Sequence, residues 1–134
     1  MKLGVRPGDL AAVRAHAARA YPEECCGLLA GPAPEYFGAP GARLHLSETL
    51  ALENAAAVSR ANRFALDPLA FTKAERMLEA RGLAVLGVYH SHPDAPARPS
   101  AFDLENAWPS YAYLIVSVPK GAPGEARVWV LSED

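Results

Sequence analysis

Apolar residues recur at spacings of three and four from Leu10 through Val13 and Ala17 to Tyr21, with Arg14 and Arg19 off that stripe. This pattern predicts a helix over Pro7–Tyr21. Asp9 is placed to cap its start, and Pro22 ends it. A short apolar run, Glu24–Ala30, predicts a buried strand. Three prolines and three glycines make residues 31–41 a loop. From Arg43 to Leu50 the chain alternates, Leu44 and Leu46 against Arg43, His45 and Ser47, as a half-buried strand does. Residues 52–62 follow neither period, and Arg63–Leu66 predicts a short strand.

Asp67-Pro68 opens a second helix, with aspartate as the cap and proline at the first helical position. Phe71, Ala74, Met77 or Leu78, and Arg81 carry it to Gly82, a favourable residue just past a helix end. Leu83–His90 is nearly continuously apolar, as a central strand is. Ser100–Trp108 begins as a helix. Tyr111–Val118 and Glu125–Leu131 predict two strands joined in a hairpin by the Pro- and Gly-rich residues 119–124. Helices and strands interleave, and the last two strands pair locally. The fold class is therefore α/β of the α+β kind, a mixed sheet flanked by helices. No internal repeat is visible, and 134 residues make a single domain over 1–134 the natural organisation.

Composition narrows the function classes. An apolar fraction of 51% against 21% charged residues is that of a folded soluble domain. A net charge of −2 supplies no global positive field for nucleic acid or anionic membrane. Gly4, Pro7, Gly8 and Asp9 stand where a signal peptide would need apolar residues, and no apolar run approaches the ~20 residues of a membrane span. A cytoplasmic location is expected. The two cysteines, Cys25 and Cys26, are neighbours that could bridge each other only with strain. They are expected to be small, partly buried hydrophobes in a reducing compartment, and without a C-x-x-C spacing no thiolate metal site is expected.

The chemistry sits in residues 90–103. His90 and His92 are one residue apart, so an extended backbone turns both imidazoles to one side and Ser91 to the other. Asp103 follows after ten intervening residues and can return as a third ligand. Three N/O ligands with a fourth position open is the arrangement of a catalytic rather than a structural zinc. Each residue has an ordinary reading: histidines at a strand end, and Ser100 with Asp103 as a capping box. All four falling at metal-site spacing in one turn favours the metal.

With these residues the chain resembles the JAMM, or MPN-plus, metalloprotease family. His90-x-His92, ten residues, then Asp103 matches its H-x-H-x(10)-D signature, and Ser100 falls at its serine within Pro99-Ser100-x-x-Asp103. The family's upstream glutamate, in a P-x-E-x-C-G-L-L context, corresponds to Pro22-Glu23-Glu24-Cys25-Cys26-Gly27-Leu28-Leu29. The resemblance covers nearly the whole chain and implies a cytidine-deaminase-like mixed sheet flanked by helices. It implies that His90, His92 and Asp103 hold one catalytic zinc with a water in the fourth position. It implies that Glu24 is the general base and later acid, and that Ser100 donates a hydrogen bond to the oxyanion. Strand alternation sends Glu23 and Glu24 to opposite faces; the match selects Glu24 and leaves Glu23 in solvent. His16 and His45 have no partner spacing and are expected to be surface or satisfied histidines.

There is no H-E-x-x-H, and no H-x-E followed by P-C-x-x-C, so the zincin and nucleobase-deaminase sites are absent. The resemblance implies a zinc (iso)peptidase that cuts after the Gly-Gly tail of a ubiquitin-like or sulfur-carrier protein. The competing class is a module that grips such a tail without cutting it. Only seven residues separate His92 from Ser100, so linkage-specific cleavage of polyubiquitin is not expected.

Overall fold

The computed structural model describes residues 2–33, 43–108 and 111–130. In chain order they form β1 (Lys2–Gly4), α1 (Pro7–Ala20), β2 (Cys26–Gly31), β3 (Arg43–His45), β4 (Glu48–Leu52), α2 (Pro68–Ala80), β5 (Ala84–Pro93), α3 (Ala101–Asn106), β6 (Ala112–Val118) and β7 (Ala126–Val130). Five strands make one sheet in the order β4-β2-β5-β6-β7. Its pairs are antiparallel except for β5 with β6, which run parallel. This is the expected mixed sheet, and its closing pair β6–β7 is the expected hairpin.

The sheet is covered on both faces. Val13 and Ala17 of α1 pack with Leu29, Leu86, Tyr89 and Val116 on one side. Ala74 and Leu78 of α2 pack with Leu28, Ala30, Val85 and Val88 on the other. Burial on both faces explains why β2 and β5 are apolar runs rather than alternating ones. The register of β5 against β2 shifts between Leu29 and Ala30, whose partners are Gly87 and Val85. Leu86 is the extra residue of this bulge. It resets the alternation so that Val88 lies in the α2 core and Tyr89 in the α1 core. Gly27, in β2 between β4 and β5, has no room for a side chain: a Cβ there would run into the Tyr89 ring and the Leu50 carbonyl.

Several boundaries differ from the sequence pattern. Residues 43–50 are two strands, not one. β3 pairs in parallel with β1, which the pattern did not announce, whereas β4 pairs with β2. The chain changes partner at Leu46 and Ser47, whose amides donate to Gly4 and Ala30. Arg63–Leu66 is not a strand; the Asn54 side chain takes its Arg63 and Ala65 backbone groups. Asp9 does not cap α1. The cap position is Arg6, and Asp9 sits in the first turn with a 2.8 Å ion pair to Arg6. Asp67 does cap α2, accepting from the Ala70 amide at 3.0 Å. α3 stops at Asn106, short of Trp108, and β5 runs on through His92 to Pro93. Most of the 31–41 loop, and Leu131 of the last strand, lie outside the described residues. Among the described residues no helix is long and apolar enough to cross a membrane.

Candidate metal centre

The C-terminal half of β5 supplies two imidazoles to the α2 face of the sheet. His90 and His92 are both buried, with ring centroids 5.0 Å apart. Ser91 faces away and accepts a hydrogen bond from the Cys25 amide at 2.8 Å. Cys26 lies opposite His90 in the β2–β5 register, so the residues just before β2 reach the same end of the sheet. Glu24 is there, outside the strand that the sequence pattern had given it, and only 2% exposed. Its Oε1 is 3.3 Å from His90 Nδ1. Glu23 is exposed, 4.0 Å from Arg60.

Asp103 arrives from the other side. Ser100 Oγ accepts from the Asp103 amide at 3.1 Å, and Asp103 Oδ2 accepts from the Ser100 amide at 2.9 Å. This capping box starts α3 and fixes the carboxylate, whose Oδ2 lies 2.9 Å from His92 Nε2 and 3.8 Å from His90 Nε2. The capping box and the approach of Asp103 to the two histidines are therefore one geometry. A serine hydroxyl that accepts from an amide keeps its own proton to donate.

One ligand atom from each of Glu24, His90 and His92 falls within 4.8 Å of the others, and all three residues are buried. Glu24 Oε1, His90 Nδ1 and Asp103 Oδ1 are buried without a hydrogen-bond partner. Unpaired buried polar atoms are costly, on the order of 1–3 kcal/mol each. Each therefore demands a partner: Glu24 Oε1 faces His90 Nδ1 at 3.3 Å, while Asp103 Oδ2 faces Nε2 of the same ring at 3.8 Å. His92 makes the same demand. Its Nδ1 donates to the Pro96 carbonyl at 2.9 Å, which in a neutral ring leaves a bare Nε2 facing the Asp103 carboxylate. Two acceptors at that distance need a cation or a proton between them. Burial pulls the His92 pKa down, but the Asp103 carboxylate, the Pro96 carbonyl and Glu24 outweigh it and raise it above its ordinary value. Burial likewise raises Asp103, and the two histidines with the Ser100 amide bring it net below the carboxylate range. This mixed N/O donor set fits one zinc ion.

Phe64 stacks on His90 with centroids 4.5 Å apart and planes at 25°. Beside the histidine lies an apolar cleft of about 730 Å³ walled by Phe64, Phe71, Phe102, Trp108, Tyr113 and Trp129. The remaining candidates stay out of the site. His16 Nδ1 pairs with the Tyr89 hydroxyl at 2.7 Å, and His45 is exposed. Cys25 and Cys26 are free buried thiols, and burial pushes Cys26 up to about 12, which leaves it unreactive. Asn54, Phe64 and the Pro96 carbonyl were not found by sequence reasoning. No spacing or composition signal marks them; the first two sit in an irregular segment, and the third is a backbone group.

Residues 8–132 match the family described as prokaryotic homologs of the JAB domain. A probable TtuB-protein conjugate cleaving protease of Thermus thermophilus is 37% identical over 113 residues, 84% of this chain and 68% of that protein. A desampylase of Haloferax volcanii is also 37% identical over 113 residues, 84% of this chain and 75% of its own length. The solution structure of a Desulfitobacterium hafniense protein superposes with a TM-score of 0.80 at 31% identity, covering 98% of this chain and 84% of that one. The His90–Asp103 turn, the buried glutamate across the sheet and these likenesses agree, and the chain belongs to the prokaryotic JAB-domain family, with a JAMM-type zinc site.

Proposed function

We propose that this chain is a zinc-dependent (iso)peptidase that hydrolyses the amide bond following the C-terminal Gly-Gly of a ubiquitin-like or sulfur-carrier protein. The observation that carries the reading is the placement of Glu24. A carboxylate 2% exposed, with an unpaired Oε1, has a ligand atom within 4.8 Å of those of both imidazoles, and a second carboxylate, Asp103, lies 2.9 Å from His92 Nε2. A structural metal site has no use for such a group, whereas amide hydrolysis needs one proton taken and one returned.

In this reading His90, His92 and Asp103 hold the ion. Zinc, when bound, polarises a carbonyl and lowers the pKa of a ligated water to about 7. Glu24 takes a proton from the attacking water and returns it to the leaving amine. Ser100 donates its free hydroxyl proton to the oxygen that becomes negative during attack. Pro96 fixes the His92 ring through Nδ1, and Phe64 fixes His90 by stacking. The apolar cleft beside His90 holds the tail and excludes water. The likeness to the Thermus protein-conjugate cleaving protease and the Haloferax desampylase supports this substrate class. Residues 1–134 act as one domain. Two unpaired cysteines fit a reducing cytoplasm.

The test is to incubate zinc-loaded protein with ubiquitin-like carriers of the host bearing C-terminal extensions and to read product masses. Loss of the extension after Gly-Gly is expected. Tight binding of the tail without turnover in zinc-replete protein would overturn the reading in favour of a binding module.

A further inference from the structure

The segment joining β4 to α2 contains no strand or helix, yet it grips Glu24 by both of its backbone polar groups. The Glu24 amide donates to the Arg60 carbonyl at 2.7 Å, and the Glu24 carbonyl accepts from Asn54 Nδ2 at 3.0 Å. The same Nδ2 donates to the Arg63 carbonyl at 2.9 Å. Asn54 Oδ1 accepts from the Ala56 amide at 3.0 Å and the Ala65 amide at 3.2 Å. A carboxamide offers two donors and two lone pairs, and Asn54 uses all four. Its bonds to Arg63 and Ala65 straddle Phe64, the residue stacked on His90. One side chain outside the metal cluster thus locks the backbone of Glu24 to the residue that packs against a histidine of the site.

We infer that Asn54 is a positioning residue for Glu24, setting where its carboxylate stands relative to the histidine pair. The inference rests on the proposed peptidase reading, in which Glu24 must meet the attacking water and then the leaving nitrogen. A glutamate side chain has three rotatable bonds, so an unfixed backbone would spread its carboxylate over many positions. Misplacement by about 1 Å can cost a reaction about a hundredfold. The Glu24 carbonyl bond comes from a side chain, not from the sheet ladder, because Glu24 lies before β2 begins.

Asn54→Asp separates positioning from folding. It is nearly isosteric and keeps an oxygen for the Ala56 and Ala65 amides, but loses both donors to Glu24 and Arg63. The expected result is a fall in kcat of at least about fivefold, and up to about a hundredfold, with KM and zinc affinity by chelator competition each within about twofold of the parent. If that variant does not fold, Asn54→Ser, neutral and too short to reach both carbonyls, is measured and judged by the same criteria. A smaller fall in kcat, a fall matched by equal loss of zinc affinity, or failure of both variants to fold overturns the inference. A parent protein that binds zinc but cleaves no carrier fusion sinks the peptidase reading instead; a cleaving parent with an indifferent Asn54→Asp variant sinks only this one.

Discussion

Glu23 and Glu24 are the same residue type one position apart, and the fold gives them opposite environments. Glu23 is exposed beside Arg60, whereas Glu24 is buried against His90. Glu24→Gln is therefore expected to keep about one zinc per chain and lose cleavage by roughly 10²–10⁴-fold, the range of a general acid–base group. Glu23→Gln should stay within about twofold of the parent, since an exposed group has no part in that proton transfer. Zinc analysis and kcat on a carrier fusion check both; the reverse pattern would overturn the assignment. Ser100 carries two duties that one substitution separates by scale. Ser100→Ala removes the acceptor for the Asp103 amide, costing about 0.5–2 kcal/mol of stability by denaturant titration. It also removes an oxyanion donor, lowering kcat by roughly 10²–10³-fold. Full activity with the expected loss of stability would reduce Ser100 to a cap. The sequence named five candidate positions: His90, His92, Ser100 and Asp103 stand out by residue type and short spacing, whereas Glu24 was marked only by the family resemblance; the fold brings Glu24 and Asp103 to the two histidines. Asn54 was not among them, because asparagine in an irregular stretch is ordinarily a turn residue. Only the tertiary placement of residues 53–66 beside β2 gives it a target.

Elements were legible where one partner explains the whole pattern. α1, α2 and β6 each pack against a continuous apolar layer, so the sequence pattern marks them nearly to their ends. Residues 43–50 alternate without interruption, but their backbone partner changes from β1 to β2, and periodicity does not record partners. The bulge at Leu86 was likewise hidden, because an apolar run buried on both faces shows no alternation to break. Element-level ties also fix a pH effect. Arg81, just past α2, holds Glu48 of β4 by two hydrogen bonds at 2.8 and 2.6 Å. These bonds outweigh the opposing effect of burial and hold the Glu48 carboxyl below the ordinary range. A depressed folded-state pKa contributes stability that is present above the unfolded value, about 4.3, and is lost as pH falls through the folded value. Arg81→Ala should therefore lower the melting temperature slightly at neutral pH, and the gap should close in acid. A gap that persists once Glu48 is protonated would show that Arg81 acts by packing instead.

At the scale of the molecule, the metal centre stands at the end of a sheet whose packing is complete without it. The core on the α1 face runs from Val13 to Val118, and the core on the α2 face is built on Leu28, Leu78, Val85 and Val88. Neither includes a proposed ligand. Domains that fold only around zinc lack such cores and draw their folding energy from the ion. Here the ion's contribution is added to a sheet that already holds, and it acts through mass action. At free zinc about a thousand times Kd it stabilises the folded chain by about 4 kcal/mol, and each kcal/mol moves the midpoint of a domain of this size by roughly 3–6 °C. Chelation is expected to leave far-ultraviolet circular dichroism and a single cooperative melt in place while lowering the midpoint. Zinc should restore it. His92→Ala should melt near the chelated value with or without added zinc, because the ligand on the end of β5 is gone while the strand remains. A chelated protein with no cooperative melt at 25 °C would place the metal inside the folding unit and contradict this separation of core from site.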